Sequence, residues 1–195
     1  VYHRLARQQG SRSRAAYKLM QLNRSFQIIR AGDVVVDLGA APGGWMQVAC
    51  EAVGDSGYVL GVDLQPIAPL NRENVQSVVA DIQDPRSIDV IAALLPREPD
   101  VVLSDLSPNV SGIWELDHAR QISLAESALD LAVRLLKRDG NFLVKVFQGE
   151  MLRQFRRKVR ESFREVKATK PKASRARSSE LYILAFGLLS RGPSA

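Results

Sequence analysis

From residue 34 onward, short β-branched and aliphatic runs alternate with stretches whose apolar positions recur every three or four residues. The first kind predicts strands over Val34–Leu38, Tyr58–Asp63, Val75–Ala80, Asp100–Ser104, Asn141–Phe147, Glu165–Thr169 and Leu181–Gly187. The second predicts helices near Trp45–Val53, Pro85–Leu95, His118–Lys137 and Glu150–Phe163, several of them bounded by glycine or proline. Strands that alternate with helices build a mainly parallel α/β sheet with helices on both faces, because a parallel connection must cross over the sheet. Seven strands in this order predict a doubly wound sheet. The last connection, 170–179, is polar and irregular and lacks the pattern of a crossover helix, so the final strand is expected to run antiparallel. Ahead of the sheet, Ser11 or Ser13 can cap a helix whose apolar members Ala16, Leu19, Met20 and Leu22 place Lys18 on a packed element. The expectation is one domain over 1–195, with a basic helical segment over 1–30 and a sheet-and-helix core over 31–188.

Composition narrows the class. The 195 residues are 46% hydrophobic and 25% charged, the balance of a globular protein. Cys50 is the one cysteine, which excludes an internal disulfide and a cysteine-rich metal cluster. No apolar run approaches the ~20 residues that span a bilayer, and no charged-then-apolar leader opens the sequence, so a cytoplasmic protein without a membrane partner is expected; a monomer is the expected state. The net charge of +6 is unevenly spread. Residues 1–30 carry seven Lys/Arg and no acid, residues 31–150 eight against eighteen acids, and residues 151–177 eleven against two. If the fold joins the two basic ends, they form one positive surface suited to a polyanion; otherwise they are two solvated helix faces.

Residues 34–45, VVVDLGAAPGGW, read as a buried strand running through a glycine-rich turn into a helix. Gly39, Gly43 and Gly44 permit tight turns and close approach of a ligand that a Cβ would crowd. The spacing is not G-x-G-x-x-G, and Pro42 limits how the turn presents amides to a pyrophosphate, so a nucleoside without phosphates fits better than a dinucleotide. Asp63, Asp81 and Asp105 close the second, third and fourth strands. Asp63 there can accept the ribose hydroxyls of an adenosine, Asp81 the adenine amino group, and Asp105 can face a cationic sulfur or the amino acid portion. Each acid alone also reads as a cap or loop acid; together they line the edge where such sheets bind ligands. An acidic edge attracts a sulfonium and repels a pyrophosphate, so the expected cofactor is S-adenosylmethionine. Trp45 either packs against that cofactor or staples its helix to the sheet. His3 and His118 stand outside these segments and read as surface or cap residues, and no metal is expected.

Five segments then take on a common meaning. GSRSRAAYKL at 10–19, DLGAAPGGW at 37–45, SDLSPN at 104–109, VKVFQGE at 144–150 and SRARSSELY at 174–182 resemble the FtsJ/RrmJ family, in that family's order and over nearly the whole chain. The resemblance implies a Rossmann-like S-adenosylmethionine-dependent methyltransferase fold and methylation of a ribose 2′-hydroxyl in RNA. It further implies a uridine of large-subunit (23S-type) ribosomal RNA, carried in a ribosomal particle, with transfer RNA as the alternative substrate. The family's Lys-Asp-Lys-Glu tetrad falls on Lys18, Asp105, Lys145 and Glu180.

The chemistry accounts for such a set. A 2′-hydroxyl is a weak acid that must lose its proton as it attacks, and a lysine, with a reference pKa of about 10.4, serves as base only where burial or neighbouring cations lower that value. Lys145 is therefore either the base or a cation that orients the hydroxyl and stabilises developing negative charge. Arg4, Arg7, Arg12 and Arg14, and on a later helix Arg153, Arg156, Arg157, Lys158 and Arg160, are candidate phosphate contacts, with Arg175 and Arg177 nearer the substrate. Tyr17 and Tyr182 are either core aromatics or stacking partners for a base. A non-catalytic RNA-binding module and a nicotinamide dehydrogenase are the readings to be displaced.

Overall fold

The computed structural model describes residues 15–174 and 178–189. The chain runs α1 (Ala15–Phe26), β1 (Val34–Leu38), α2 (Gly44–Val53), β2 (Tyr58–Asp63) and β3 (Val75–Val79). It continues through α3 (Ser87–Leu94), β4 (Val101–Ser104), α4 (Trp114–Leu135) and β5 (Asn141–Phe147), and then α5 (Leu152–Ser162), β6 (Phe163–Thr169) and β7 (Glu180–Leu188). The sheet order is β3-β2-β1-β4-β5-β7-β6. Neighbours from β3 to β5 pair in parallel, whereas β7 runs antiparallel to both β5 and β6. The expected mixed, doubly wound sheet is thus present, and its last strand lies inside the sheet rather than at its edge.

Alternate residues of each strand enter opposite layers, as the period of two requires. Val36, Leu38, Leu60, Val62, Val102, Phe142, Val144 and Val146 pack beneath α3, α4 and α5. Val35, Val59, Val101, Leu103, Leu143, Tyr182 and Leu184 pack beneath α1 and α2. This two-sided burial explains why β1, β4 and β5 read as near-continuous apolar runs, broken chiefly by Asp37 and Lys145. By the same alternation Asp37, Lys145 and Glu180 belong to the layer of α1 and α2, and it is there that the polar residues collect. At the amino ends of the central strands, Asp100 accepts from the Val34 amide at 2.7 Å and pairs with Arg97 and Lys137, tying β1 to the start of β4 and the end of α4.

Several expected boundaries shift, most by one or two residues, and two of the shifts have a clear physical cause. α4 begins at Trp114 rather than His118, because Asp117 in its first turn accepts hydrogen bonds from the Ser111 and Gly112 amides and organises the entry four residues earlier. β6 begins at Phe163 rather than Glu165: the chain leaves α5 directly into strand, and Phe163 is buried with its ring 6.1 Å from that of Phe142. His118, expected at the surface or as a cap, is buried and stacked on Trp114. Ser11, Ser13, His3, Arg4, Arg7, Arg12, Arg14, Arg175 and Arg177 lie outside the described residues. Among those described, no helix is long and apolar enough to cross a membrane, and no group of His, Cys, Asp and Glu is arranged to hold a metal ion.

The turn into β2 leaves no room for a side chain at Gly57. A Cβ there would stand 2.4 Å from Val53 Cβ and 2.6 Å from the Asp33 carbonyl oxygen, both held by the packing of α2 and β1. Gly57→Ala is expected to destabilise the protein by about 1–3 kcal/mol, seen as a lower urea midpoint with an unchanged slope.

Candidate active site

Lys145 lies near the carboxyl end of β5 with only 4% of its surface exposed. Its Nζ donates to the Asp105 carbonyl oxygen at 2.8 Å and to Ser107 Oγ at 2.5 Å, and stands 3.3 Å from Asp105 Oδ1 and 4.0 Å from Glu180 Oε1. Glu180 opens β7, where it pairs with Phe147 in register, so the ladder sets its side chain beside the end of β5. Lys18 reaches Glu180 Oε2 at 2.5 Å from α1, with its ammonium 5.7 Å over the Tyr182 ring. The Tyr182 hydroxyl donates to Asp105 Oδ1 at 3.0 Å. Lys18, Asp105, Lys145 and Glu180, far apart in sequence, therefore meet in one cluster. Tyr182 is a fully buried member of the core and is also tied to that cluster.

Local structure makes the cluster possible. β4 stops pairing with β5 at Ser104–Val144, and the chain then turns away, presenting Asp105 and Ser107 to Lys145. Beyond that point Gln121 of α4 replaces the missing strand: its Nε2 donates to the Lys145 carbonyl at 2.7 Å and its Oε1 accepts from the Phe147 amide at 3.1 Å. The segment before β7 is held to α1 by the Ala173 amide, which donates to Gln21 Oε1 at 2.9 Å. Burial raises the Glu180 carboxyl, but the Lys18 hydrogen bond and the charges of Lys18 and Lys145 outweigh it and hold it below its ordinary range. Burial, followed by the charges of Asp105 and Glu180, pushes the Tyr182 phenol well above its ordinary value, so it remains a hydrogen-bond donor.

Beside the cluster lies a cleft of about 500 Å³ whose wall includes Gly39, Ala41, Pro42, Asp63, Asp81 and Asp105. It opens where the connections from β1 and β4 leave toward opposite faces, the position at which doubly wound sheets bind ligands. Gly39 has φ 78°, and a Cβ on it would meet Leu106 Cδ2 at 2.7 Å. Gly43, with φ 102°, turns the chain into α2. Asp63 anchors this turn by accepting from the Ala41 amide, and also accepts from the Gln65 amide, each at 2.9 Å. Asp81 is exposed on the same rim. Gly43, Gly44 and Trp45 are buried behind the cleft. Trp45 staples: its indole N–H donates to the Ala15 carbonyl at 2.9 Å and its ring lies 5.9 Å from that of Tyr182.

The sequence reading did not single out Asp37 or Ser107, although both lie inside segments it quoted. Asp37 is wholly buried, and neither carboxylate oxygen has a hydrogen-bond partner in the protein. Burial, with added repulsion from Asp105 and Asp63, raises its carboxyl well above the ordinary range. Its strand position marked it as core, and sequence spacing carries no sign that three acids converge.

A doubly wound sheet with an acidic, glycine-turned cleft at its switch point defines the class of Rossmann-like methyltransferases. A structure described as a ribosomal RNA methyltransferase from Plasmodium falciparum superposes with a TM-score of 0.82 at 25% identity, covering 92% of this chain and 100% of that one. The pre-rRNA processing protein fibrillarin of Methanococcus jannaschii shares the fold, with a TM-score of 0.59 at 15% identity over 84% of this chain and 69% of its own. Within that class, the FtsJ-like methyltransferase family model matches residues 11–188, and the chain belongs to that family. It is 48% identical over 190 residues to the ribosomal RNA large subunit methyltransferase E of Methanococcus aeolicus, covering 97% of this chain and 71% of the relative. It is 51% identical over 189 residues to the protein of that name from Methanothrix thermoacetophila, covering 97% and 72%.

A carboxylate held below its unfolded-state value contributes stability that is present above that value and is lost as the pH falls through the folded one. Glu180 is such a group. The difference in unfolding free energy between the wild type and Glu180→Gln is expected to be constant from about pH 8 to 5 and to shrink below about pH 4.3, measured by urea titration across that range.

Proposed function

We propose that this protein transfers a methyl group from S-adenosylmethionine to a ribose 2′-hydroxyl in RNA, with a uridine of large-subunit ribosomal RNA as the target. The observation that carries the reading is the buried Lys145 ammonium, 2.8 Å from the Asp105 carbonyl oxygen, at the margin of a cleft to which Asp105 also contributes. One residue thus belongs both to the lysine cluster and to the cofactor cleft, bringing hydroxyl activation beside methyl donation. The names of the archaeal relatives support ribosomal RNA as the substrate.

The cleft suits the cofactor. Gly39 forms part of its wall in a backbone conformation that a side chain would force against Leu106, and the acids Asp63, Asp81 and Asp105 on its lining give a field favourable to a cation. Asp63 would hold the ribose hydroxyls, Asp81 the adenine amino group, and Asp105 the cationic portion. When bound, S-adenosylmethionine supplies an electrophilic methyl group carried on a sulfonium.

The chain's own residues orient the nucleophile. Asp105, Ser107 and Glu180 surround Lys145 Nζ with acceptors, an environment that suits an ammonium in the resting protein. In that state Lys145 orients the hydroxyl and stabilises the charge that develops on its oxygen, with the proton leaving to water. Transient loss of the Lys145 proton would let the same nitrogen act as base. Lys18 fixes Glu180 and adds positive charge beside the attacking oxygen. Positioning of this kind can be worth ~7–11 kcal/mol when nucleophile and electrophile are aligned.

Lys145→Ala is expected to reduce methyl transfer about 100-fold or more while leaving S-adenosylmethionine affinity within about twofold. Transfer of labelled methyl to ribosomal particles and to transfer RNA, followed by mapping of 2′-O-methyl positions, tests reaction and substrate together. A wild-type rate in Lys145→Ala would remove the catalytic assignment, and labelling of transfer RNA alone would replace the substrate.

A further inference from the structure

The entry to α4 carries an exposed aromatic surface that the residues discussed so far do not use. Trp114, the first residue of the helix, is 45% exposed, and it is stacked at 6.0 Å on His118 and at 6.0 Å on Phe147. Phe147 is the last residue of β5, two positions beyond Lys145, or about 7 Å along a strand. Val110, Ile113, Leu116 and Met151 are also exposed in the segments that flank Trp114 and α5.

This surface is ordered. Asp117 accepts from the Ser111 amide at 2.7 Å and from the Gly112 amide at 3.1 Å, which fixes the approach to Trp114. His118 Nε2 accepts from the Met151 amide at 3.2 Å, fastening the start of α5 to the start of α4. α5 buries Phe155 and Val159 and turns Arg153, Arg157, Lys158 and Arg160 to solvent. An aromatic surface therefore joins the strand of the buried lysine to a basic helix.

We propose that Trp114 is a stacking platform for an unpaired nucleobase flanking the methylated nucleotide, with α5 carrying the adjoining phosphates. This rests on the reading of RNA as substrate. Proteins that take single-stranded RNA combine these same two elements, cations along the backbone and aromatic rings against the bases. The positive charge beside the patch favours a polyanion over an apolar protein partner. Phe147 couples the platform to β5, so a base seated on Trp114 sets how far along the strand the neighbouring ribose can reach.

The protein has two tryptophans, and Trp45 is 3% exposed, so quenching of emission on RNA binding reports Trp114. A uridine dodecamer and an abasic ribose-phosphate chain of the same length serve as probes. The uridine dodecamer is expected to quench the wild type and not Trp114→Phe. Trp114→Ala should bind it about tenfold more weakly, with affinity for the abasic chain unchanged, and Trp114→Phe should recover binding to within about threefold. Unfolding midpoints of both variants confirm that they fold. The proposal is overturned if Trp114→Ala binds both probes as the wild type does, or loses the same factor on both. It is equally overturned if the wild type self-associates in light scattering and Trp114→Ala only separates the copies. Stacking as expected, in a wild type that methylates no RNA, would instead defeat the proposed function and leave the platform standing.

Discussion

An ammonium group enclosed by protein is costly unless its charge is balanced and its hydrogens are accepted. Lys145, carried on β5, meets both conditions because two other stretches converge on it: the turn after β4 through Asp105 and Ser107, and the start of β7 through Glu180, which Lys18 of α1 in turn holds. Removing one acceptor leaves a buried cation undercompensated, so each partner is also a condition on how the strands close. The two acids are divided between the two lysines rather than shared equally. Glu180 is 2.5 Å from Lys18 and 4.0 Å from Lys145, whereas Asp105 serves Lys145 and the Tyr182 hydroxyl.

Asp105 joins two electrostatic regions of opposite character. On one side stand two lysines, and on the other Asp37, whose carboxyl is raised by burial and by repulsion from Asp105 and Asp63. The neighbouring cations offset part of this repulsion, which is how a row of acids can stand at successive strand ends without driving the sheet apart. Asp63 is moderated differently, by hydrogen bonds from the Ala41 and Gln65 amides. Asp37 has neither kind of help within the protein, and burial, with repulsion from Asp105 and Asp63, raises its carboxyl well above the ordinary range.

Much of this was legible in the sequence, for identifiable reasons. β1, β2 and β5 begin and end at the expected residues because continuous apolar runs leave little choice of boundary once both faces of a sheet are covered. The set Lys18, Asp105, Lys145 and Glu180 was legible through motif resemblance, and for Lys145 and Glu180 strand alternation already turned the side chains to one face. The start of α4 was not, because its organising contacts run from Asp117 back to a loop without helical pattern. His118 and Trp114 escaped for a related reason: stacking across a helix entry and a strand end is a tertiary contact with no local period. Trp45 left two meanings open until its indole was seen to reach α1.

The insertion of β7 between β5 and β6 has a consequence for biosynthesis. A nascent chain that has emerged only as far as residue 170 can assemble the parallel half of the sheet, but the neighbour that supplies Glu180 and Tyr182 is still inside the ribosomal tunnel. β6 has no partner in the sheet but β7, so it cannot join until β7 emerges, and closure depends on β7 pairing with β5 between residues as distant in sequence as Phe142 and Ala185, a non-local step that is slow by nature. The cluster of Lys18, Asp105, Lys145 and Glu180 is consequently among the last features of the sheet to acquire its final surroundings, because its charges meet only once β7 is in place.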